Sequence, residues 1–250
     1  MAKPRRSGLT GYERQERSVD RTNKNERYRE FEDTTTHSHD FDYHKPKEGG
    51  EEQKKFIRET TNTEELMNEL LKNSAEVYAF ENWGYGAFMS GQQYGKFSDM
   101  YSELQKWTRT FDKYLDRVVN KEGFIVRRRA TAELLLGKGN TRPMSLEQLQ
   151  GMKGQLVTSK GSMSTSLAKH GLTIGDSSKK MEYEIRIPAG SKGAGMWIGD
   201  KRINGWGSRQ REFMTNRDAV FQVGDTKYDP RRGVYVTQLT FIAHERHSYD

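Results

Sequence analysis

Aliphatic side chains are almost absent from the first 55 residues of the chain. Residues 1–55 are rich in Arg, Lys, Glu, Asp, Thr and His, and charges of both signs alternate without an apolar stripe. Such a segment cannot bury enough surface to offset the entropy that ordering it would cost. The pattern therefore predicts a flexible charged arm over 1–55, followed by one folded domain over 56–250.

Apolar residues return at helical spacing near residue 60. Thr61 and Glu64 have the spacing of a capping box, with Thr61 as the N-cap. The apolar positions that follow predict one amphipathic helix: Leu66, Leu70, Leu71 and Val77. After Trp-Gly-Tyr-Gly at 83–86 a second helical stretch is predicted over about 93–119, with a break within it, and its aromatic stripe is assigned to core packing. Residues 60–120 are thus predicted to form a helical lobe.

The second half of the chain has short apolar runs separated by Gly-, Pro-, Lys- and Asp-rich turns, which is typical of strands. Short helices are predicted at 131–136 and after Ser145, which begins a second capping-box sequence. The predicted strands are 124–126, 163–167, 181–187, 196–198, 212–214, 219–223 and 234–243. The fold class is therefore α+β, with an N-terminal helical lobe before a two-sheet β-sandwich or barrel-like core over 121–245.

Charge and composition limit the possible chemistry. The chain has no cysteine, which excludes disulfides, thiolate zinc sites and cysteine nucleophiles. A net charge of +7 suits a polyanionic partner such as nucleic acid, anionic membrane or a phosphate-bearing cofactor, although it also fits a merely basic surface. No apolar run approaches the roughly 18 residues of a membrane span. The N-terminus is basic but lacks the apolar stretch of a secretory signal.

Possible metal ligands occur in the arm, at His37, His39, Asp40, Asp42 and His44. Nothing in the sequence fixes their geometry relative to one another. We interpret them as incidental polar residues of a tail and expect no metal site.

Three patches on predicted strands are candidates for function. They are the arginines 127–129 after an apolar pair, the hydroxyl run Ser164-Thr165-Ser166, and Gln210-Arg211-Glu212 after a Gly/Trp-rich loop. Each is weak alone, because arginine runs are often solvated strand ends and short hydroxyl runs are common. Their order along the chain and their placement on strands give them weight together.

With the turn Gly190-Ser191-Lys192-Gly193-Ala194-Gly195, these patches resemble a family. It is the bacterial toxin-type mono-ADP-ribosyltransferases of the Arg / Ser-Thr-Ser / Glu class. The sequence is most similar to the clostridial Rho-modifying exoenzymes and the enzymatic components of binary actin-modifying toxins. The resemblance covers roughly residues 60–245 and implies that family's fold, with NAD as substrate and no metal.

The resemblance also implies roles for individual residues. Arg128 would grip the NAD pyrophosphate, since a guanidinium donates paired hydrogen bonds and stays charged, although Arg127 and Arg129 remain alternatives. Glu212 would stabilise the oxocarbenium-like ribose as the glycosidic bond breaks. Ser164 would hydrogen-bond Glu212, while Thr165 and Ser166 would shape the nicotinamide pocket.

Two further residues bear on the acceptor. Gln210 lies two positions before Glu212 and so on the same strand face. By resemblance, Gln-x-Glu members modify amide side chains of small GTPases or guanine in DNA, which disfavours an arginine acceptor. Trp206 is either an exposed aromatic for target recognition or a buried anchor of its loop. The loop over 168–176 departs from the family, since it has no arginine for the NAD phosphate; a lysine is the alternative for that contact, and a different affinity or geometry for NAD is the other.

These observations predict an enzyme that transfers ADP-ribose to a target protein, such as a small GTPase or an actin-like protein. The alternatives are transfer to nucleic acid and a non-catalytic basic module that binds polyanions. We expect a monomer without a membrane span, acting in the cytosol of a target or host cell. It would arrive there without a classical signal peptide, as an injected effector, a secreted toxin component or a bacteriophage-encoded enzyme.

Overall fold

The structure is a computed structural model that describes residues 28–31, 51–82, 98–137, 145–167, 180–198 and 212–244. The expected break at 83–86 and the histidine-rich stretch at 37–44 lie outside the described residues. Among the residues that are described, helices come first and strands dominate the second half. This order confirms the predicted α+β class with an N-terminal helical lobe.

The described helices and strands have the following bounds. The helices are α1 Glu51–Thr60, α2 Thr63–Leu70, α3 at 74–82, α4 Ser98–Leu115, α5 Glu133–Leu136 and α6 Leu146–Gln150. The strands are β1 Phe124–Ala130, β2 Leu156–Ser159, β3 Ser164–Ser166, β4 Met181–Ile187, β5 Gly195–Trp197, β6 Glu212–Thr215, β7 Ala219–Asp229 and β8 Val234–His244.

The start of the helical lobe differs from the prediction. The N-cap of α2 is Asn62 rather than Thr61, so the predicted capping box at Thr61 is wrong. The cause is α1, a helix that the sequence pattern did not reveal. Thr61 follows α1 directly, and its hydroxyl donates to the carbonyl of Ile57 in the last turn of that helix, 2.6 Å away. The hydroxyl is thus engaged with the preceding helix.

The single helix predicted through Leu71 and Val77 is in fact two helices. Its interruption has a local cause in Asn73, whose side-chain oxygen accepts hydrogen bonds from the amides of Ala75 and Glu76 at 3.1 and 3.3 Å. This is the N-cap geometry that begins a new helix. The capping box at Ser145, by contrast, is confirmed, because both of its reciprocal hydrogen bonds are present at the start of α6.

The eight strands form one hydrogen-bonded sheet, in the order β2-β7-β8-β4-β1-β3-β6-β5. All the predicted strands are present, and β2 is an addition that the sequence pattern did not indicate. The division into two sheets is not confirmed, since the hydrogen-bonded order passes from β4 through β1 to β3 without a break. Strand β1 is therefore central and connects the two halves of the sheet.

Buried apolar side chains form two clusters. The larger one lies along the sheet and includes Phe124, Val126, Ile185 and Phe221. The smaller one joins the helical lobe to strands β5 and β6, and combines residues of α2 and α4 with Met196 and Met214. The lobe is thus held against β5 and against β6, the strand that begins at Glu212, the last residue of the third candidate patch.

Two stretches of the segment expected to be a flexible arm are structured. Phe31 is 1% exposed and belongs to the larger core cluster, and α1 begins at Glu51. A single buried aromatic ring contributes a large apolar area, so a segment poor in aliphatic residues can still dock at one point. The boundary between an arm and a catalytic domain otherwise stays a prediction.

Candidate active site

The alternation of side chains along β1 separates the three arginines. Arg127 and Arg129 point to one face of the sheet and Arg128 to the other. Arg127 is buried and forms ion pairs with Glu30 and, at 3.4 Å, with Glu184 on β4. Arg129 lies 3.8 Å from the carboxylate of Glu182, also on β4. The charges on that face are therefore neutralised by neighbouring glutamates.

Arg128 lies on the opposite face, next to the second candidate patch. Its Nη1 donates a 2.8 Å hydrogen bond to the backbone carbonyl of Ser164, on β3. Burial lowers the pKa of Arg128, and the neighbouring Tyr183 and Glu212 act in the opposite direction. An arginine remains charged in such surroundings. Arg128 thus places a fixed cation between β1 and β3.

Glu212 is the first residue of β6 and is 7% exposed. It pairs with Ser166 across the antiparallel β3–β6 ladder, so Ser164 is its diagonal neighbour on the same face. Burial raises the pKa of Glu212, while a hydrogen bond with the Ser164 side chain and the positive charge of Arg128 counteract that rise. The first, second and third patches therefore contribute Arg128, Ser164 and Glu212 to one location.

The three hydroxyls of the second patch are divided between the two faces of β3. Ser164 and Ser166 share the face of Glu212, whereas Thr165 alternates with them. Thr165 is 4% exposed, and its hydroxyl donates to the backbone carbonyl of Phe213. This contact gives Thr165 a role in joining β3 to β6, and the structure does not bring its hydroxyl to Glu212.

Tyr183 belongs to this location and was missed by the sequence analysis. It is the cross-strand neighbour of Arg128 on β4 and is 1% exposed. Its hydroxyl donates a 2.8 Å hydrogen bond to the backbone carbonyl of Thr131, and burial raises its pKa. A tyrosine whose hydroxyl is held in its neutral form therefore lies next to Arg128. No signal in the sequence could have identified it, because the pairing register of β1 and β4 is a tertiary property.

Several predicted features fall elsewhere. Gln210, Trp206 and the loop over 168–176 lie outside the described residues.

Within the described part of the chain, no group of three or more His, Asp or Glu side chains is placed to hold a metal ion. None of the described helices combines the length and the apolar character needed to cross a membrane.

The arrangement has a definite chemical capability. A half-buried guanidinium such as that of Arg128 can bind a phosphate-bearing molecule through charge-assisted hydrogen bonds. A buried carboxylate beside it, oriented by a hydroxyl, can stabilise positive charge that develops on that molecule during a reaction. The partial burial of Arg128 and the burial of Glu212 make electrostatic interactions there stronger than in bulk water.

Comparison with known proteins identifies the family of this arrangement. The family model for the ADP-ribosyltransferase exoenzyme matches residues 91–242. No curated protein matches the sequence. The interval includes all three strands that carry the candidate site.

Solved structures share the fold at low sequence identity. One is C3stau2 from S. aureus with NAD, at 16% identity and a TM-score of 0.56, with 86% of this chain and 99% of that chain covered. Another is Plx2a, an ADP-ribosyltransferase toxin from Paenibacillus larvae, at 16% identity and a TM-score of 0.58. The match covers 76% of this chain and 94% of that chain. A third is the enzymatic component C2-I of the C2-toxin from Clostridium botulinum, at 17% identity and a TM-score of 0.54. The match covers 74% of this chain and 46% of that chain.

Proposed function

Because this chain belongs to the ADP-ribosyltransferase exoenzyme family, we propose that Arg128, Ser164 and Glu212 form the site at which it acts on NAD. The family makes the chain a toxin-type, NAD-dependent mono-ADP-ribosyltransferase. The observation that carries the assignment of the site is the convergence of the three residues from three strands. The Arg128 guanidinium donates to the Ser164 carbonyl, and the Ser164 side chain hydrogen-bonds Glu212.

In the proposed site Arg128 binds the pyrophosphate of NAD. Two negatively charged phosphates require a fixed cation, and the planar guanidinium retains N–H donors beyond the one used for Ser164. Its partial burial reduces competition from water and so strengthens the interaction. The glutamates that neutralise Arg127 and Arg129 leave Arg128 as the arginine of the triplet that serves the dinucleotide.

Glu212 and Ser164 assist the bond that breaks. In the reaction, the bond between C1′ of the ribose and the nicotinamide nitrogen breaks, and its electron pair leaves with nicotinamide. The ribose then carries oxocarbenium character, which the Glu212 carboxylate stabilises. The acceptor atom forms the new bond to C1′ and loses a proton. Ser164 holds the rotamer of Glu212, and Ser166 contributes to the pocket for nicotinamide.

The acceptor is a side-chain amide of a host protein such as a small GTPase or an actin-like protein. The support is Gln210, whose neutral side chain cannot act as a base toward an arginine but can hydrogen-bond an amide. Trp206, in the loop before it, contributes to recognition of the target. A second acceptor class is nucleic acid, which the net charge of +7 favours because basic proteins bind polyanions.

The protein acts in the cytosol of a host cell, as a monomer, with residues 56–250 as its catalytic domain. It reaches the host as an injected effector, a secreted toxin component or a bacteriophage-encoded enzyme. Each of these settings provides NAD and the macromolecular acceptor in the same compartment.

The first experiment measures nicotinamide release from NAD by the purified chain and by E212Q. We expect the variant to lose at least about a hundredfold in rate, because a neutral amide cannot stabilise the oxocarbenium charge. Its melting temperature at neutral pH should not fall, since Glu212 has a raised pKa and its ionised form is disfavoured by the fold. E122Q, at an exposed glutamate next to β1, is the matched control and should keep wild-type activity.

A second experiment identifies the acceptor class. The chain is incubated with host-cell lysate and NAD labelled in its adenylate part, and the products are treated with protease or with nuclease. Label that is removed by protease and resists nuclease supports the amide-acceptor proposal. Label that resists protease and falls to nuclease would replace the protein target with nucleic acid.

A further inference from the structure

A short N-terminal segment, residues 28–31, is docked along the edge of β1, and we call it the strap. The amide of Arg29 donates to the carbonyl of Gly123 at 2.8 Å, and the amide of Ile125 donates to the carbonyl of Arg29 at 3.1 Å. Arg29 thereby forms a parallel bridge with Phe124. On the same side of β1, strand β3 pairs two residues after Ile125, at Arg127. The strap therefore completes the edge of β1 immediately before the site.

Side chains on both faces of the strap hold it in place. On one face Phe31 is 1% exposed, and its ring lies 5.2 Å from that of Phe56 in an edge-to-face contact. On the other face the ring of Tyr28 lies 5.6 Å from the guanidinium of Arg186 on β4. The alternation is that of a strand, so the strap is bound in a defined register.

Glu30 of the strap makes the contact that bears on the site. Its carboxylate forms an ion pair with Arg127, whose side chain is only 4% exposed. The other carboxylate near Arg127 among the described residues is Glu184, at 3.4 Å. A buried guanidinium without sufficient counter-charge is costly, so loss of Glu30 favours any movement that returns Arg127 to water.

Such a movement reaches Arg128 through the backbone. Arg127 and Arg128 are adjacent and point to opposite faces of β1, so a rotation that carries one toward solvent turns the other. The Arg128 hydrogen bond to the Ser164 carbonyl depends on the present orientation. Glu212 lies on β6, which the strap does not contact through any described hydrogen bond.

We propose that Glu30 is a positioning residue for NAD binding, which fixes Arg127 on one face of β1 and thereby directs Arg128 into the site. The proposal rests on the proposed role of Arg128 in binding the pyrophosphate. It makes the strap a working part of the enzyme, although it lies more than 90 positions before the arginines in sequence.

The test compares E30Q with E52Q in the full chain, using steady-state nicotinamide release. Each change removes one carboxylate charge: E30Q removes one that belongs to the strap, and E52Q removes one that contacts the strap. Glu52 pairs with Arg29 at 2.5 Å, but both side chains are largely exposed, so E52Q is the matched control. We expect E30Q to raise KM for NAD about three- to tenfold with kcat unchanged, and E52Q to behave as wild type.

Two further variants separate positioning from general stability. E30D keeps the carboxylate, so its KM for NAD should lie between that of E30Q and that of the wild type. In an R127M background, E30Q should add no further increase in KM, because the effect of Glu30 passes through Arg127. If the strap were only structural, E30Q would reduce the active fraction, lowering kcat at constant KM and adding to R127M.

The outcomes distinguish the two proposals. A wild-type KM for E30Q, or a loss confined to kcat, overturns the positioning role while an active wild type and an inactive E212Q leave the enzymatic function standing. A wild-type chain that neither binds NAD nor releases nicotinamide overturns the proposed function and the role of Glu30 with it. The proposal is supported if E30Q raises KM for NAD in the wild-type background, E52Q does not, and E30Q causes no further rise in the R127M background.

Discussion

At the scale of single residues, the site depends on opposing influences on one carboxyl group. Burial raises the pKa of Glu212, whereas the Ser164 hydrogen bond and the charge of Arg128 lower it. Only the ionised carboxylate can stabilise positive charge on the ribose. The two neighbours of Glu212 therefore oppose the effect of burial and favour the ionised carboxylate.

This balance predicts a pH dependence. Activity should fall as the pH drops through the pKa of Glu212, with a midpoint above that of a free glutamate. Ser164 stabilises the ionised form, so S164A should raise this pKa further and move the acid limb of the kcat/KM profile to higher pH. The measurement is the pH profile of nicotinamide release.

A matched variant controls for the loss of a hydroxyl as such. Ser159 on β2 donates to the carbonyl of Gly161 and lies at the far edge of the sheet, so S159A should leave the acid limb where it is. An acid limb that S164A leaves in place, or moves to lower pH, contradicts the role given to Ser164.

At the scale of elements, β1 shows how a strand sorts identical residues into different functions. Arg127 and Arg129 lie beside the glutamates of β4, whereas Arg128 lies across from Tyr183 of β4 and donates to the Ser164 carbonyl of β3. The period of two along the strand makes this assignment all or none, since a slip of one residue would exchange the faces. The pairing register therefore decides which arginine can reach a substrate.

The sorting predicts contrasting effects of two neighbouring substitutions. R128Q should raise KM for NAD about ten- to a hundredfold, because a charge-assisted contact to phosphate is lost. R129Q should leave KM near the wild-type value, since Glu182 keeps its 2.6 Å partner Arg232. Steady-state kinetics of nicotinamide release measures both. A rise in KM that is larger for R129Q than for R128Q would assign the pyrophosphate to the other face of β1.

At the scale of the whole molecule, an ion pair joins the helical lobe to the sheet. Arg217, in the turn between β6 and β7, makes a two-pronged contact with Asp112 of α4, at 2.9 and 2.6 Å. Asn216 donates to Asp116, just beyond α4, at 2.8 Å. Because Glu212 lies on β6, these contacts connect the lobe to the strand that carries the proposed catalytic carboxylate.

Breaking this connection should destabilise the fold. Arg217 and Asp112 are 12% and 7% exposed, and removal of the Asp112 charge leaves the mostly buried Arg217 with the weaker contact to Asp218, at 3.2 Å. We expect D112N to lower the free energy of unfolding by about 3 kcal/mol, measured by urea denaturation. E69Q, which removes an exposed partner of Arg117, should cause a much smaller loss. Equal losses in the two variants would show that Arg217 does not join the lobe to the sheet.

Local patterns in the sequence determined most of the secondary structure. The alternation of Met181 to Ile187 and the capping box at Ser145 are properties of neighbouring residues, so they could be identified without a fold. They failed at Thr61, where two local roles competed: its hydroxyl donates to the carbonyl of Ile57, four residues earlier, in a helix that the pattern did not reveal. The order of the three patches was enough to indicate the family.

Tertiary structure decided what the sequence left open. The different surroundings of the three arginines follow from the glutamates of β4 and from Glu30, and the place of Tyr183 follows from the register of β1 with β4. The docking of the strap and the Asp112–Arg217 pair join residues that are far apart along the chain. The physical reason is common to all of them: burial and charge pairing depend on distances in space, whereas the sequence alone specifies only local conformational preference and which residues are available to pair.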